Sequence, residues 1–394
     1  MENTKDTAQK KKFTAILRKI GVFFKTNIIF TVILIFAIVS CFFVPIDKEY
    51  LGYFDWGTIA TIFMILLVVA GLTQINFFER VARFIVKKFK NTRSIIMCMI
   101  FLTYLSAIFN ANDMSLLTLL PLSYVVLKYT NNLKYCTFTF IMQNIASNLG
   151  GMLVPIGNPQ NLYIYSSYHL SLWEFLKIMA LPTLFALILI VAVCMFVKRE
   201  PLEFKDEYSE QVDKKVLIVF LILFVVVLLA VFRVIPWWIS LIIVSSVALA
   251  VQPKAYFGVD YTIPFTFIIF FIFAGNIARI PAITNFLVSV IDKHVFLTAY
   301  LGCQVISNVP TTILLSKFTN NYAELLVSVN VASLGIIFSS LSGIIALKEY
   351  IKVAKKENFD KKRGAWYYIG MDTLFNIVGA IILVPLSYFT IGVI

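Results

Sequence analysis

Apolar runs long enough to cross a lipid bilayer recur along this chain. Ile28–Val44, Trp56–Leu72, Leu176–Val197, Val216–Phe232 and Trp366–Phe389 hold 17 to 24 residues each, against the roughly 20 that a helix needs to cross hydrocarbon. They are apolar on all sides, which a helix of a water-soluble protein rarely sustains at that length. They are also continuous and not alternating, which excludes a porin-like barrel. With 60% apolar and 14% charged residues, the chain reads as an all-α polytopic protein of the cell membrane, embedded in the lipid bilayer.

The net charge of +13 follows the membrane pattern and implies no nucleic acid. The basic residues fall in blocks between spans: seven Lys/Arg in Lys5–Lys25, six in Arg80–Arg93, five in Lys198–Lys215 and seven in Lys348–Arg363. The connections around 45–54, 165–174, 233–236 and 281–293 are poor in them. The positive-inside rule places the four blocks in the cytoplasm, with the N-terminus inside and the C-terminus outside. No small-residue cleavage site follows the first apolar run, so it reads as a retained span. Cys41, Cys98, Cys136, Cys194 and Cys303 are scattered without metal spacing and read as free thiols. His169 and His294 are far apart, so no metal site beyond a bound Na+ is expected.

Two regions do not read as simple spans. Ser94–Phe109 and Met114–Leu127 are limbs of about 24 and 21 Å, joined by the polar tip Asn110–Asp113. His294–Ile306 and Thr311–Phe318 are joined by Ser307–Pro310. Both read as re-entrant hairpins, with opposite entry sides by the charge map. Two further spans are interrupted. Ser147–Asn161, "SNLGGMLVPIGNPQN", carries three glycines, two prolines and three asparagines, and Asn330–Gly343 resembles it. Asn112 pairs with Asn308, Ser115 with Thr311, Asn148 with Asn330, Gly151 with Ser333, Gly157 with Ser339 and Asn158 with Ser340. The order in each half is span, hairpin, interrupted span, further span. This is an inverted-topology repeat, the signature of secondary transporters. The competing reading is two similar helix-packing faces, but packing alone does not call for an asparagine beside each break.

The organisation is then a cytoplasmic N-terminus and first span over 1–54, and a first repeat over 55–197 with hairpin 94–127 and broken helix 135–165. A cytoplasmic linker follows over 198–215. The second repeat covers 216–394, with hairpin 294–318, broken helix 322–347 and last helix 366–391.

Pro155 and Pro159 remove backbone donors, and Gly150, Gly151 and Gly157 permit non-helical dihedrals. Broken backbone is tolerated in a membrane only when buried in protein or lining a wet cavity. Free carbonyls and asparagine oxygens there suit a small cation. The amide ends of the helices beginning after each tip suit an anion. An intramembrane carboxylate is functional by default, so Asp113 either ligates Na+, takes up a proton, or caps the helix that starts at Met114. Asn112 and Asn308 either contact ligand or bond tip to tip. Arg233 and Arg279 snorkel at span ends. Asp372 and Asn376, one turn apart in the last span, form a polar spot with a packing or hydrogen-bond role.

The stretches "NAND…LLTLLPL", "SNLGGMLVPIGNPQNL" and "ISNVPTTILLS" resemble the ion transporter superfamily. Its members include sodium-coupled dicarboxylate/citrate symporters, arsenite efflux permeases and some sodium/proton antiporters. The resemblance runs from about Trp56 onward and implies a homodimer with a scaffold and a moving transport domain, an elevator mechanism. In the dicarboxylate branch each tip carries Ser-Asn-Thr. Here the second tip keeps Ser307 and Asn308 but continues Val309-Pro310. The first reads Ala111-Asn112-Asp113, closer to the arsenite-permease and citrate-transporter-like branches. Asn161 pairs with Gly343, so the second interruption also departs.

The candidate anion contacts are Asn112, Ser115, Asn158, Ser307, Asn308, Thr311, Thr312 and Ser339. The candidate cation contacts are Asn110, Asp113, Ser147, Asn148, Gly151, Asn161, Asn330 and Ser333. The expected function is secondary transport of a small anion, a di- or tricarboxylate, coupled to Na+ or H+, with no organic cofactor. Arsenite or inorganic anion efflux and sodium/proton antiport are the alternatives. An intramembrane enzyme lacks an HExxH or GxSxG motif, and a channel does not account for paired hairpins.

Overall fold

The computed structural model describes residues 24, 28–77, 84, 88–109, 112–202, 213–231, 234–291, 294–316 and 318–391. Among these, regular structure is helical apart from a single bridged pair, Asn91 with Pro201. The helices are α1 (Ile28–Phe43), α2 (Trp56–Gln74), α3 (Thr92–Phe109), α4 (Asn112–Tyr129), α5 (Cys136–Gly151) and α6 (Pro159–Ser167). Next come α7 (Leu172–Cys194), α8 (Lys214–Val231), α9 (Trp237–Val251), the one-turn α10 (Ala255–Gly258), α11 (Thr262–Ile277) and α12 (Pro281–Ile291). The chain ends with α13 (Val295–Ile306), α14 (Asn308–Leu315), α15 (Tyr322–Val331), α16 (Leu341–Lys356) and α17 (Ala365–Ile391).

Helix bounds follow the apolar runs closely: α2 starts at Trp56 with its run and continues two residues past Leu72, and α1 starts at Ile28 and ends one residue before Val44. Among the described residues α7, of 23 residues, and α17, of 27, are long and apolar enough to cross a membrane each on its own. Several others, α1, α9 and α13 among them, contribute apolar helix of 10–17 residues. Burial is arranged oppositely to a water-soluble protein. Phe42, Phe196, Phe257 and Trp366 are more than four-fifths exposed, while some three dozen polar residues are buried. Apolar surface on that scale requires a non-aqueous surround.

Two sequence expectations change here. Residues 281–291, read as part of a connection, form α12. The limbs of the first hairpin, α3 and α4, are each 18 residues, or about 27 Å, two residues longer at each outer end than hydropathy marked. Polar Thr92, Arg93, Lys128 and Tyr129 extend them. The limbs of the second, α13 and α14, are only 12 and 8 residues. Asn110 and Ala111 at the first tip, Arg233, Lys317 and the linker residues 203–212 lie outside the described residues.

The chain divides into two compact units. In the first, residues 1–59 and 260–284, α1 packs on α11. Phe36 lies over Phe273, and Asn276 Nδ2 donates to Ser40 Oγ at 3.0 Å. Arg279 does not simply snorkel. It pairs with Asp47 at 2.5 Å and Glu49 at 3.1 Å and donates to Tyr53 Oη at 3.0 Å. The Arg279 hydrogen bond holds the Asp47 carboxyl below its ordinary value.

The second unit, 60–259 and 285–394, holds both hairpins, both interruptions and the last helix. Its packing is reciprocal. The first limb of each hairpin packs on the first half of its own interrupted helix, α3 on α5 and α13 on α15. The second limb packs on the second half of the other interrupted helix, α4 on α16 and α14 on α6. The helices that follow the interruptions, α7 and α17, pack on each other.

The interruptions share one backbone path. After α5 the chain makes a single 3-10 turn, Pro155–Gly157, and re-enters helix at Pro159. After α15 it turns over Ile337–Ser339 and re-enters at Leu341. Asn158 and Ser340, paired in the repeat register, are both extended, with φ −140° and ψ 145° and 152°. The glycines act differently from expectation: among the described residues none has positive φ. Gly151 and Gly157 are required by close approach. A Cβ on Gly157 would stand 2.1 Å from the Gly151 carbonyl oxygen, which is backbone and cannot yield.

Gly157→Ala is therefore expected to destabilise the protein by about 1–3 kcal/mol through overpacking, while Gly370→Ala, where a Cβ meets nothing within 4 Å, leaves it unchanged. Thermal unfolding of both variants in detergent checks this.

Candidate functional site

Helix breaks at Met152–Asn158 and Ala332–Ser340 leave backbone carbonyls without intrahelical partners. At the second break Gln304 Nε2 donates to the Ala332 carbonyl at 2.9 Å and Tyr300 Oη to the Leu334 carbonyl at 2.8 Å, and at the first a side chain of the asparagine-rich stretch takes them up. Asn161 Nδ2 donates to the carbonyl oxygens of Gly151 at 3.1 Å and Val154 at 3.2 Å. Its own oxygen accepts from Asn330 Nδ2 at 2.6 Å. Asn330 Oδ1 in turn accepts from Asn158 Nδ2 at 2.9 Å and Gln160 Nε2 at 3.4 Å. The two interrupted helices are thus clamped to each other by amides, all at most 2% exposed.

The first hairpin tip joins this cluster. Asn112 begins α4, and its Oδ1 accepts from the Asp113 amide at 2.9 Å. Its Nδ2 donates to Asn148 Oδ1 at 3.0 Å and to Ser342 Oγ at 2.9 Å. Ser342 Oγ donates to Asp113 Oδ1 at 2.5 Å. Asn158 Nδ2 also reaches the Asn148 carbonyl at 3.5 Å. The second tip repeats the local geometry: Asn308 begins α14, and its Oδ1 accepts from the Val309 amide at 2.9 Å. Ser307, at φ 72° and ψ 165°, occupies a conformation that side chains rarely adopt. Its hydroxyl donates to the Ser339 carbonyl at 3.3 Å. Ser339 Oγ donates to the Ser333 carbonyl at 3.1 Å, and Ser333 Oγ to the Asn330 carbonyl at 2.7 Å. Both tips therefore bond to residues three apart, Ser339 and Ser342, and one hydrogen-bonded cluster contains both.

Two expectations are corrected, and other candidate contacts are found bonded locally. Asp113 does not cap the helix after it, because the helix already starts at Asn112 and the Asp113 carboxylate is turned to Ser342. Asn112 and Asn308 do not bond tip to tip; each accepts from the amide that follows it at the start of its own helix, and Asn112 reaches Asn148 and Ser342. Ser115 is buried but bonds Ser106 on the other limb, at 3.0 Å. Thr311, Thr312 and Ser147 donate to carbonyls of their own helices, Ser307, Asn308 and Asn144, which commits their protons and leaves only their acceptor lone pairs. Asn110 lies outside the described residues.

Three participants were not singled out from sequence: Ser342, Gln160 and Asn144. The repeat register pairs Gln160 with Ser342, and both lie inside stretches already marked as unusual. Asn144 is one turn before Asn148, on the same helix face, and Asn148 Nδ2 donates to its Oδ1 at 3.2 Å. Asn144 Nδ2 donates to Asp372 Oδ1 at 3.3 Å, and Asn376 Nδ2 to the Asp372 carbonyl at 2.8 Å. The hydrogen-bond role expected of that polar spot is present, with its partner on α5.

The electrostatics of the cluster are one-sided. The buried charged residues are Asp113 and Asp372, with no buried Lys, Arg or His among the described residues. Two buried acceptors, Asn158 Oδ1 and Gln160 Oε1, receive no hydrogen bond. Buried polar atoms without partners are few in native folds and call for a cause such as an ion.

Residues 15–340 match the family described as citrate transporter. The chain belongs to this family. Together with its apolar helices, membership makes it a multi-pass membrane protein of the secondary anion transporter kind, within the ion transporter superfamily. It is 31% identical over 300 residues to the uncharacterized transporter MJ0456 of Methanocaldococcus jannaschii, covering 75% of this chain and 81% of that one. It is 29% identical over 326 residues to the inner membrane protein YbiR of Escherichia coli, covering 81% and 87%. A putative transporter arsB of Dictyostelium discoideum is 21% identical over 168 residues, 42% of this chain and 29% of that one. The family match contains every residue that the sequence marked as a candidate contact; Ser342 lies just beyond it.

Asn330→Ala removes the acceptor for Asn158 and Gln160 and the donor to Asn161 at once. A loss of about 3 kcal/mol is expected, against about 1 kcal/mol for Ser333→Ala, which gives up a single hydrogen bond. Thermal unfolding in detergent compares the two.

Proposed function

We infer that the protein is a secondary active transporter that carries a small anion, a di- or tricarboxylate, together with Na+ or H+. The observation that carries this reading is the position of Asp113, a buried carboxylate at a hairpin tip, held by Ser342 and flanked by the Asn112–Asn148 amides, with no basic side chain in the cluster. A carboxylate there repels an anionic substrate. A buried carboxylate without a cation is itself unfavourable. A proton or Na+ at Asp113 removes both penalties and, as Na+, reverses the sign of the local potential. Substrate binding then depends on the cation, which is the thermodynamic content of coupling.

The acceptors left open at Asn158 Oδ1 and Gln160 Oε1, with the carbonyls of the two breaks, are oxygens of the kind that hold Na+. Donors for the anion come from the amide ends of α4 and α14 and from serine, threonine and asparagine side chains. The reading includes two oppositely entering hairpins in inverted repeats, an elevator-like movement of the repeat core within a homodimer, and an N-terminus inside with the C-terminus outside. A second reading, in which cation exchange, sodium/proton antiport, is the whole activity, draws on Asp113 alone, a buried carboxylate that either cation can neutralise.

Reconstitution separates the two. Labelled succinate or citrate is expected to accumulate in proteoliposomes under an inward Na+ or H+ gradient, and Asp113→Asn to reduce that accumulation by about tenfold or more. Proton release on Na+ addition with no anion present would favour antiport. Equal accumulation by Asp113→Asn at every pH and Na+ concentration would remove the coupling role of this residue.

A further inference from the structure

The hydrogen bonds around Asn112 do not end at the hairpin. Asn112 Nδ2 donates to Asn148 Oδ1 at 3.0 Å, Asn148 Nδ2 to Asn144 Oδ1 at 3.2 Å, and Asn144 Nδ2 to Asp372 Oδ1 at 3.3 Å. Three amides in series, each donating to the next, join the tip to a second acid on the last helix. Their common direction follows from chemistry. The Asp372 oxygen facing Asn144 acts as an acceptor, so Asn144 presents its NH2 there and its oxygen to Asn148, which passes the same choice to Asn112. Aligned amides in a low-dielectric interior polarise one another. At the other end Asn112 Nδ2 and Asp113 Oδ1 share Ser342. The two buried acids among the described residues are therefore the termini of one chain.

Asp372 is 0% exposed, and its Oδ2 has no hydrogen-bond partner. One turn before it, the Tyr368 hydroxyl is also buried and without a partner; the spacing puts both on the same helix face. The titratable groups that bear on this part of α17 are Tyr368 on the same helix, Cys136 on α5 and Tyr350 on α16, whose ring centroid is 4.6 Å from that of Tyr368, with the charged Arg363 acting on both Cys136 and Tyr350. Of the other helices packed on α17, α15 carries Glu324, whose carboxylate accepts from the Phe296 amide, and α7 carries Glu174, which accepts from Tyr322, along with Lys177 and Cys194. In the turn before α17, Arg363 offers its carbonyl to Tyr350. Among the described residues Asp372 has no ion pair. A carboxylate so placed is uncompensated, and its Oδ2, buried and without a hydrogen-bond partner, is open to a proton.

We propose that Asp372 is a proton-binding carboxylate of the transporter, linked to the hairpin-tip site through Asn144, Asn148 and Asn112. The proton comes from the bathing solution and adds to Oδ2; the side chain passes from charge −1 to neutral, and no other bond changes. Loss of the charge weakens the acceptor that orients the amide chain, and with it the hold on Asn112. The functional half of this proposal rests on the transport reading above; the proton site itself does not.

Two measurements test it. Infrared difference spectra of the reconstituted protein between acidic and alkaline buffer are expected to contain the C=O stretching band of a protonated carboxyl that is absent in Asp372→Asn and retained in Asp113→Asn. This needs no substrate, so it is independent of the transport assignment. In proteoliposomes at fixed Na+, the apparent affinity for succinate or citrate is expected to change about tenfold or more across the titration of that band in the parent and about twofold or less in Asp372→Asn, with the pH profile recovered in Asp372→Glu. Asn144→Ser, which cuts the chain and keeps the acid, flattens the same profile and serves if Asp372→Asn does not fold. A band unaffected by Asp372→Asn overturns the proton site. A pH profile unchanged in both Asp372→Asn and Asn144→Ser overturns the link. Absence of accumulation of any anion in the parent overturns the transport reading instead.

Discussion

Polar groups buried in this fold have no water to turn to, and the amide clamp between the two interrupted helices is what the rest depends on. A broken helix exposes carbonyls that must be matched inside the protein. Asn161 takes two of them, and Asn330 holds Asn161 and Asn158 in place from the other interrupted helix. Without that clamp the breaks would be costly defects. With it they become a fixed floor on which Asn148, Ser339 and Ser342 receive the hairpin tips.

The two halves share a backbone path but not a chemistry. The first interruption supplies amides at Asn148, Asn158, Gln160 and Asn161; the second supplies mainly hydroxyls at Ser333, Ser339 and Ser342. The asymmetry is complementary, because the Asn330 amide of the second half holds Asn158 and Asn161 of the first and a hydroxyl of the second half, Ser342, orients the Asp113 carboxylate of the first. The cross-packing of α4 on α16 and α14 on α6 brings these unlike sides together. A strictly duplicated site would place like groups opposite each other and could not complete the same pairs of donors and acceptors.

Much of the fold was legible because hydrophobic runs report helices directly: the starts of α1 and α2 follow from hydropathy, and the first break from its glycines, prolines and asparagines, with the second found by its likeness to the first. Limb lengths were less so. Thr92, Arg93, Lys128 and Tyr129 continue helices past the apolar stretch, and α12 lay in a segment read as a connection. Within the site, Asn112, Asp113, Asn148, Asn158, Asn161 and Asn330 are polar residues out of place in an apolar chain and announce themselves. Ser342 and Asn144 do not, since a serine or asparagine in a helix is ordinary until its partner is known. Ser115, Thr311 and Thr312 were marked by the same compositional signal, yet their hydroxyl protons go to local acceptors.

From sequence alone come the helical class, the membrane surround, the two interruptions and the register relating them, because each is a local property: hydropathy over a turn count, a missing donor at proline, a repeat in spacing. Only the tertiary structure decided that Asp113 faces Ser342, that Asn330 closes the gap beside Asn161, and that Asn144 joins Asp372 to the hairpin. Those pairings span 169 to 229 residues of chain. They depend on which helix faces turn toward each other, a choice made by packing across the whole unit and carried by no short stretch of residues.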